Sequence, residues 1–208
     1  MKVLIADDHA IVRKGLREIL FEEFPTIEIH DVPDGHQMLK EIRKQKFDIV
    51  ISDLSMPGLG GLDALKQIKE EFPKQPILIL SMHPEDQYAI RVLRAGASGY
   101  LNKETAGAEL VKAVRQITGG KRYISPLVAE KLAEDLDIDS TKALHETLSN
   151  REFEVLKFIT AGKTVSDIAD VLSLSVATIS TYRSRLLEKL HLKNNAELAR
   201  YALDNGVV

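Results

Sequence analysis

The chain has 208 residues, a hydrophobic content of 44% and a formal net charge of −3, values that suit one large globular domain or two small ones. It has no cysteine, which excludes a disulfide scaffold and a thiolate metal site and favours a reducing compartment. The first apolar run is too short for a signal peptide, and no stretch is long enough to span a bilayer. We therefore expect a cytoplasmic protein with no membrane association.

Charge is distributed unevenly along the chain. Residues 1–147 carry 20 basic and 24 acidic side chains, whereas residues 148–208 carry 8 basic and 7 acidic ones. The first part is therefore net negative and the second slightly positive, which indicates two parts of different character.

Short apolar runs in the first part alternate with amphipathic stretches of helical spacing. The predicted strands are residues 3–6, 27–30, 49–52, 77–80 and 99–101. Strands that alternate with helices in this way predict an α/β fold, a doubly wound parallel sheet of five strands with helices on both faces.

The second part has no strand pattern and predicts four short helices from Leu148 onwards. Residues 135–147 are polar and acidic without a clear period, and we interpret them as a linker. The predicted organisation is an α/β domain over residues 1–123, a helix and linker over 124–147, and a smaller all-α domain over 148–208.

Polar side chains stand where the predicted strands end. The first strand ends in Asp7 and Asp8, the third in Asp53 and the fourth in Ser81, and Lys103 follows the fifth. Polar residues also end strands without any function. However, the carboxyl ends of parallel strands lie on one edge of a sheet, where ligands bind, so all five side chains are expected in one cleft.

The expected cleft has the chemistry of phosphoryl transfer. Three clustered carboxylates repel one another unless a cation lies among them, and oxygen ligands favour a hard cation such as Mg²⁺. An aspartate beside that cation can act as a nucleophile and form an aspartyl phosphate. Lys103 can balance the charge of the added group, and Ser81 can donate a hydrogen bond to it.

The segments IADDHAIVRKGL, DIVISDLSMPGLGGLDAL, ILILSMH and AGASGYLNK resemble the receiver domain of two-component response regulators over about residues 1–123. The resemblance implies a flavodoxin-like fold and a phosphoryl donor that is a sensor histidine kinase or a phosphorelay protein. It implies the following roles: phosphoacceptor, Asp53; Mg²⁺ ligands, Asp7, Asp8, Asp53 and the backbone carbonyl of Ser55; phosphoryl-binding and switch residues, Ser81, Lys103 and Tyr100.

One residue departs from the receiver pattern, and another argues against a rival family. Many receivers follow the lysine with a cis proline, but here Glu104 follows Lys103, and a cis bond before a non-proline residue would cost about 2.5–4 kcal/mol. We therefore expect a trans bond. A hydrolase of the haloacid dehalogenase type would need a second aspartate where this chain has Ser55, which argues against that reading. His9 is given no metal role, and His83 is expected near the phosphoryl group.

The second part predicts a helix, a tight turn at residues 173–175 and a second helix from Ser175 to Leu190. Ser149 and Glu152 before it have the spacing of a capping box. A helix–turn–helix is a DNA-reading arrangement whose second helix enters the major groove, although any small helical bundle would give a similar pattern.

The second helix has two distinct faces at about 100° per residue. The predicted core stripe is Val176, Ile179, Leu186, Leu187 and Leu190. Side chains on the opposite face are short or hydroxylated with one arginine, as suits contact with base edges: Ala177, Thr181, Ser184 and Arg185. Basic residues on the flanks are expected to contact phosphates: Arg183, Lys189 and Lys193. A merely short-chained surface is the alternative.

The last predicted helix, residues 194–205, offers an apolar strip that either pairs with a second copy or packs within its own domain. The strip consists of Leu198, Tyr201, Ala202 and Val207.

The segments LSNREFEVL, AGK, IADVLSLSVATISTYRSRLLEKL and ELARYA resemble the LuxR-type helix-turn-helix. Together with the receiver, the resemblance is to the NarL/FixJ class of response regulators. It implies a transcriptional regulator that dimerises and binds double-stranded DNA on phosphorylation. Two alternatives remain. An output enzyme or docking module would need a second functional constellation, which residues 148–208 lack. A regulator that binds DNA independently of phosphorylation fits less well with the five residues of the predicted cleft.

Overall fold

A computed structural model of the chain describes residues 1–136 and 144–207. The chain divides into two compact units, Met1–Ile138 and Asp139–Val208. Over the described residues, the helices are all too short or too polar to cross a bilayer.

The first unit alternates strands and helices as predicted. Its elements are β1 Lys2–Ala6, α1 Ala10–Glu23, β2 Glu28–Val32, α2 Gly35–Lys44, β3 Ile49–Asp53, α3 Gly61–Glu71, β4 Ile77–Ser81, α4 Glu85–Arg94, β5 Gly99–Asn102, α5 Ala106–Thr118 and α6 Pro126–Leu136. The strands pair in the order β2-β1-β3-β4-β5, and all four pairings are parallel. The predicted doubly wound α/β fold is confirmed.

Burial follows the position of each strand in the sheet. Every residue of β3 and β4 is buried, whereas in the edge strand β2 only Val32 is buried. On one face, Leu16 and Leu20 of α1 join Leu110 and Val114 of α5 in the core cluster over the central strands. From β1 the chain runs outwards to β2 and then returns to β3 on the other side. The carboxyl ends of β1 and β3 therefore flank the switch point where such sheets bind ligands.

The outer edge of β5 is partly covered by the segment after α5. Tyr123 forms an isolated parallel bridge with Gly99, and its N–H donates to the Ser98 carbonyl at 2.8 Å. The Tyr123 side chain is buried and its phenol donates to Glu109. Burial, followed by the interaction with Glu109, raises the pKa of Tyr123 above its usual range.

Helix α6 packs on α4. Ser125 precedes α6, and its hydroxyl oxygen accepts the Val128 N–H at 3.4 Å while its O–H donates to Glu85 at the start of α4. One serine therefore holds the beginnings of both helices together.

The second unit contains a 3-10 helix, Leu144–Thr147, followed by α7 Asn150–Thr160, α8 Val165–Leu172, α9 Val176–Lys189 and α10 Asn195–Asp204. The four predicted helices are confirmed. Of the predicted linker, 135–147, the first two residues end α6 and the last four form the 3-10 helix, and residues 137–143 lie outside the described residues.

Side-chain caps define where these helices begin. The predicted capping box is confirmed, since Ser149 accepts the Glu152 N–H at 3.3 Å and Glu152 accepts the Ser149 N–H at 2.7 Å. Ser175 caps α9 by accepting the Thr178 N–H at 3.1 Å. The turn between α8 and α9 passes through Ser173 in the left-handed region, with φ of 53°.

The predicted core stripe of α9 is confirmed except at Val176, which is exposed, and Leu187, which is half-buried. Ile179, Leu186 and Leu190 are buried as expected, but Val176 is 50% exposed because it stands in the first turn of α9, at the end of the stripe. Most of the apolar strip of α10 is used internally, since this helix packs along α7. Its buried members are Leu198, Ala202 and Val207. Packing within its own unit, one of the two alternatives, is confirmed for these three residues, whereas Tyr201 is half-buried.

Candidate functional site

Carboxylates from β1 and β3 meet at the switch point of the sheet. Asp7 is 1% and Asp53 4% exposed, whereas the side chain of Asp8, which follows Asp7, is 30% exposed. One potential ligand atom from each of Asp7, Asp8, His9 and Asp53 lies within 4.8 Å of the others. The sheet thus brings the three predicted acids together.

Lys103 reaches the acids from the loop after β5. Its N–H donates to the Ser81 carbonyl at 2.8 Å, and its Nζ lies 2.7 Å from Oδ2 of Asp7 and 3.1 Å from Oδ1 of Asp53. Burial raises the pKa of Asp53 against the opposing attraction of Lys103. Burial acts to lower the pKa of Lys103, but the two carboxylates outweigh it and hold that pKa above its ordinary value.

The two predicted switch residues both contact the backbone of His83. Ser81 is fully buried, and its Oγ accepts the His83 N–H at 3.0 Å. Tyr100 is 2% exposed, and its O–H donates to the His83 carbonyl at 2.8 Å. Sequence reasoning expected His83 near the phosphoryl group but missed these contacts, for which its position two residues after Ser81 was the only signal.

The loop after β3 is shaped around Asp53. The Ser55 N–H donates to the Asp53 carboxylate, and the Ser55 Oγ lies 3.1 Å from Nε2 of His83. A Cβ on Gly61 would lie 2.1 Å from the Asp53 carbonyl oxygen, so only glycine fits where α3 begins.

The donor set fits a hard divalent cation. The three clustered carboxylates would supply oxygen ligands, the type that Mg²⁺ prefers, as would the Ser55 carbonyl that the resemblance implies. His9 also contacts the acids, since its Nδ1 lies 3.0 Å from Asp8 and 3.3 Å from Asp7. The bond from Lys103 to Glu104 is trans, as expected.

In the second unit, α9 presents the predicted small and hydroxylated face to solvent. Its exposed members are Ala177, Thr181, Ser184 and Arg185. The Thr181 hydroxyl donates to the Ala177 carbonyl at 3.0 Å, so it already has a partner within the helix. Ile179 and Leu186 lie buried on the opposite side.

The three flanking basic residues differ in their contacts. Arg183 donates through Nε to Asn195 at 2.6 Å, and its guanidinium group carries further N–H donors. Lys193 is exposed beyond the end of α9. Lys189 forms an ion pair with Glu152 at 2.7 Å, and that carboxylate is 3% exposed. A phosphate contact from Lys189 would therefore compete with an internal partner.

Comparison with known protein families assigns both units. Residues 3–115 match the response regulator receiver domain, and residues 146–202 match the bacterial regulatory proteins of the luxR family.

Similar proteins cover nearly the whole chain. The response regulator UvrY of Escherichia coli K12 is 35% identical over 100% of this chain and 95% of its own length. The oxygen regulatory protein NreC of Staphylococcus carnosus is 38% identical over 98% of this chain and 97% of its own. A solved structure of two RcsB dimers bound to two parallel DNAs is 32% identical, with a TM-score of 0.59 over 97% of this chain and 96% of that one. The chain therefore belongs to the two-component response regulators of the NarL/FixJ class, phosphorylation-activated transcription regulators that join a receiver to a LuxR-type DNA-binding domain.

Proposed function

We propose that Asp53 accepts a phosphoryl group from a sensor histidine kinase or a phosphorelay protein, in a reaction that requires Mg²⁺. The observation that carries the proposal is the position of this buried carboxylate beside Asp7 and the ammonium group of Lys103. A Mg²⁺ ion held by Asp7, Asp8, Asp53 and the Ser55 carbonyl would offset the clustered negative charge and bind phosphoryl oxygens.

The residues of the chain divide the work of the transfer. An oxygen of Asp53 attacks the phosphorus atom, the bond from phosphorus to the donor breaks, and the donor leaves with that electron pair. Lys103 turns from the carboxylates towards a phosphoryl oxygen as negative charge moves there. The Ser81 hydroxyl donates to a second phosphoryl oxygen, which requires it to move relative to the His83 N–H.

The output of the protein is proposed to be DNA binding by a homodimer. In RcsB, a relative, dimers bind DNA. One small unit with few cations would bind weakly at physiological salt, and a second unit on a neighbouring half-site raises the effective concentration. We propose that bases are contacted by Ala177, Thr181, Ser184 and Arg185, and phosphates by Arg183, Lys193 and, in competition with Glu152, Lys189.

In this proposal the receiver extends over residues 1–123, the helix and linker over 124–147 and the DNA-binding domain over 148–208. No separate enzymatic activity is assigned to the chain. The cytoplasm is the proposed location, since the phosphoryl donor and DNA are both accessible there.

Intact-mass measurement after incubation with acetyl phosphate and Mg²⁺ tests the chemistry. We expect one added phosphoryl group in the wild type and in an Asp63→Asn control, and none in Asp53→Asn or with EDTA. Equal labelling of Asp53→Asn would refute the assignment.

Footprinting and sedimentation, with and without acetyl phosphate, test the output. We expect phosphorylation to produce dimers and to protect two half-sites. Identical footprints in both states would favour the regulator that works independently of phosphorylation.

A further inference from the structure

His83, in the loop between β4 and α4, contacts several residues of the receiver. Its peptide groups bind both switch residues, since its N–H donates to Ser81 and its carbonyl accepts from Tyr100. These backbone contacts are available to any residue at this position. They do not explain what the imidazole ring contributes.

The ring itself joins two parts of the receiver that are distant in sequence. At one end, Nε2 lies 3.1 Å from Oγ of Ser55, two residues after the phosphoacceptor. The face of the ring stacks on Tyr88 of α4, with the ring centres 4.4 Å apart and the planes inclined by 17°. Tyr88 is 1% exposed, so the stack is part of the packing under α4.

Ser55 contacts both the His83 ring and the phosphoacceptor Asp53. Its N–H donates to the Asp53 carboxylate, and its carbonyl is a proposed ligand of Mg²⁺. A side-chain hydrogen bond that fixes Ser55 therefore fixes two backbone groups of the site before the cation and the phosphoryl group arrive. Preorganised ligands of this kind bind more tightly than ligands that must first be ordered.

We propose that the His83 side chain is a positioning residue that connects the Ser55 loop to α4 through Tyr88, alongside the route through Ser81 and Tyr100. The inference rests on the proposed function, because it concerns the Mg²⁺ and phosphoryl site at Asp53. Binding at that site holds Ser55, Ser55 holds the imidazole, and the imidazole orders the packing of Tyr88. Since such coupling is reciprocal, breaking the Ser55 contact weakens cation binding.

Two substitutions separate the two ends of the ring. His83→Phe keeps an aromatic ring to stack on Tyr88 and removes the polar atom that faces Ser55, whereas His83→Gln keeps a polar end and removes the stack. Ser55→Ala removes the partner hydroxyl without changing the backbone carbonyl. Met82→Ala is the matched control, because Met82 is in the same loop and 62% exposed.

Isothermal titration calorimetry with Mg²⁺ tests the contact between the His83 ring and Ser55. We expect His83→Phe and Ser55→Ala each to lower Mg²⁺ affinity about fivefold, the ratio that one neutral hydrogen bond supports. The double variant should bind no more weakly than either single one, and Met82→Ala should bind as the wild type does. His83→Gln should lose less affinity than His83→Phe, because it keeps the polar end that faces Ser55. Wild-type affinity in His83→Phe, or additive losses in the double variant, would overturn the proposal. Ser55→Ala leaves the test in place if a His83 variant fails to fold.

Hydrogen exchange of the α4 amides, with and without Mg²⁺ and beryllium trifluoride, tests the stack of the His83 ring on Tyr88. We expect the wild type to gain protection of α4 and His83→Gln to gain less, although it keeps more Mg²⁺ affinity than His83→Phe. Full protection in His83→Gln would also overturn the proposal. The proposed function has its own readout, because absence of Asp53 labelling by acetyl phosphate leaves the Mg²⁺ titrations measurable.

Discussion

The ammonium group of Lys103 lies 3.1 Å from Oδ1 of Asp53, and it also reaches Asp7 at 2.7 Å. The positive charge of Lys103 thus lies against two of the carboxylates that are proposed to bind a divalent cation. The lysine and the cation would therefore compete electrostatically for the same carboxylates, although the proposed phosphoryl transfer uses both.

This competition predicts that Lys103→Met binds Mg²⁺ more tightly than the wild type, by about tenfold or more, because one nearby repulsive charge is removed. The same variant should respond less to phosphorylation, since a phosphoryl oxygen loses its cationic partner. Calorimetric titration measures the first effect. Lys112→Met, on the exposed side of α5, is the control. Unchanged or weaker Mg²⁺ binding by Lys103→Met would contradict the argument.

Ser81→Ala should separate phosphorylation from its output. Asp53 keeps its neighbours Asp7 and Lys103, so labelling by acetyl phosphate is expected to continue. The phosphoryl group then has no Ser81 hydroxyl as a hydrogen-bond donor. Movement of Ser81 relative to the His83 N–H can therefore no longer follow phosphorylation. The measurement is DNA affinity before and after phosphorylation. A gain as large as that of the wild type would show that Ser81 does not carry the switch.

Gly61→Ala should destabilise the receiver by about 1–3 kcal/mol, because the added Cβ would overlap the Asp53 carbonyl oxygen. Gly15→Ala in α1 is the matched control, since its Cβ would have no neighbour within 4 Å. That control is expected to stabilise the fold by about 0.5–1 kcal/mol through helix propensity. Urea unfolding followed by circular dichroism compares the two, and equal stabilities would be inconsistent with the close approach at Gly61.

The ion pair between Glu152 and Lys189 gives the second unit a pH dependence. Burial acts to raise the pKa of Glu152, but hydrogen bonds from Lys189 and from the Ser149 N–H outweigh it and hold that pKa below its ordinary value. The stabilisation is therefore complete above the ordinary carboxylate pKa and is lost as pH falls through the lowered one.

Glu152→Gln should accordingly cost about 1–2 kcal/mol near neutral pH, and the deficit should shrink in acid. Urea unfolding followed by the methyl NMR signal of the buried Ala202 reports on this unit. Glu188→Gln, exposed on α9, is the control. A deficit that does not change with pH would exclude the ionised pair as its source.

The DNA contacts are distinguished by three alanine substitutions. Arg185→Ala should alter sequence preference by about 1–3 kcal/mol if the side chain reads a base. Lys193→Ala should weaken all sequences alike and lower the salt slope by about one. Lys189→Ala should mainly destabilise the unit, because Glu152 would be left buried without its cation. Footprints and salt titrations of the three variants test the assignment. An Arg185→Ala protein with unchanged affinity and preference would contradict the proposed docking.

The sheet and the acid cluster were predictable because both follow from local patterns. A buried parallel strand is apolar along its length, and a polar residue at its end lies at the ligand edge, so Asp7, Asp53 and Ser81 could be placed without any knowledge of side-chain contacts. Helix starts were equally local, as the Ser149 and Glu152 capping box demonstrates.

The contacts that sequence did not reveal join residues far apart along the chain. The sequence around His83 does not indicate its contact with Ser55, and the sequence around Lys189 does not indicate its ion pair with Glu152. An apolar strip on one helix also does not indicate which surface it packs against. For this reason Leu198 and Ala202 could be assigned from the sequence either to a dimer interface or to the core of their own unit. Such partners are set by packing between elements, which periodicity alone does not specify.

The bridge between Tyr123 and Gly99 has a practical consequence for dividing the chain. The receiver family match ends at residue 115, yet Tyr123 covers part of the β5 edge and is 4% exposed. A fragment cut at the family boundary would uncover unpaired backbone groups on that outer strand, the template on which sheets from separate molecules join. Fragments that retain residues 116–125 are therefore expected to stay monomeric at concentrations where the shorter fragment aggregates.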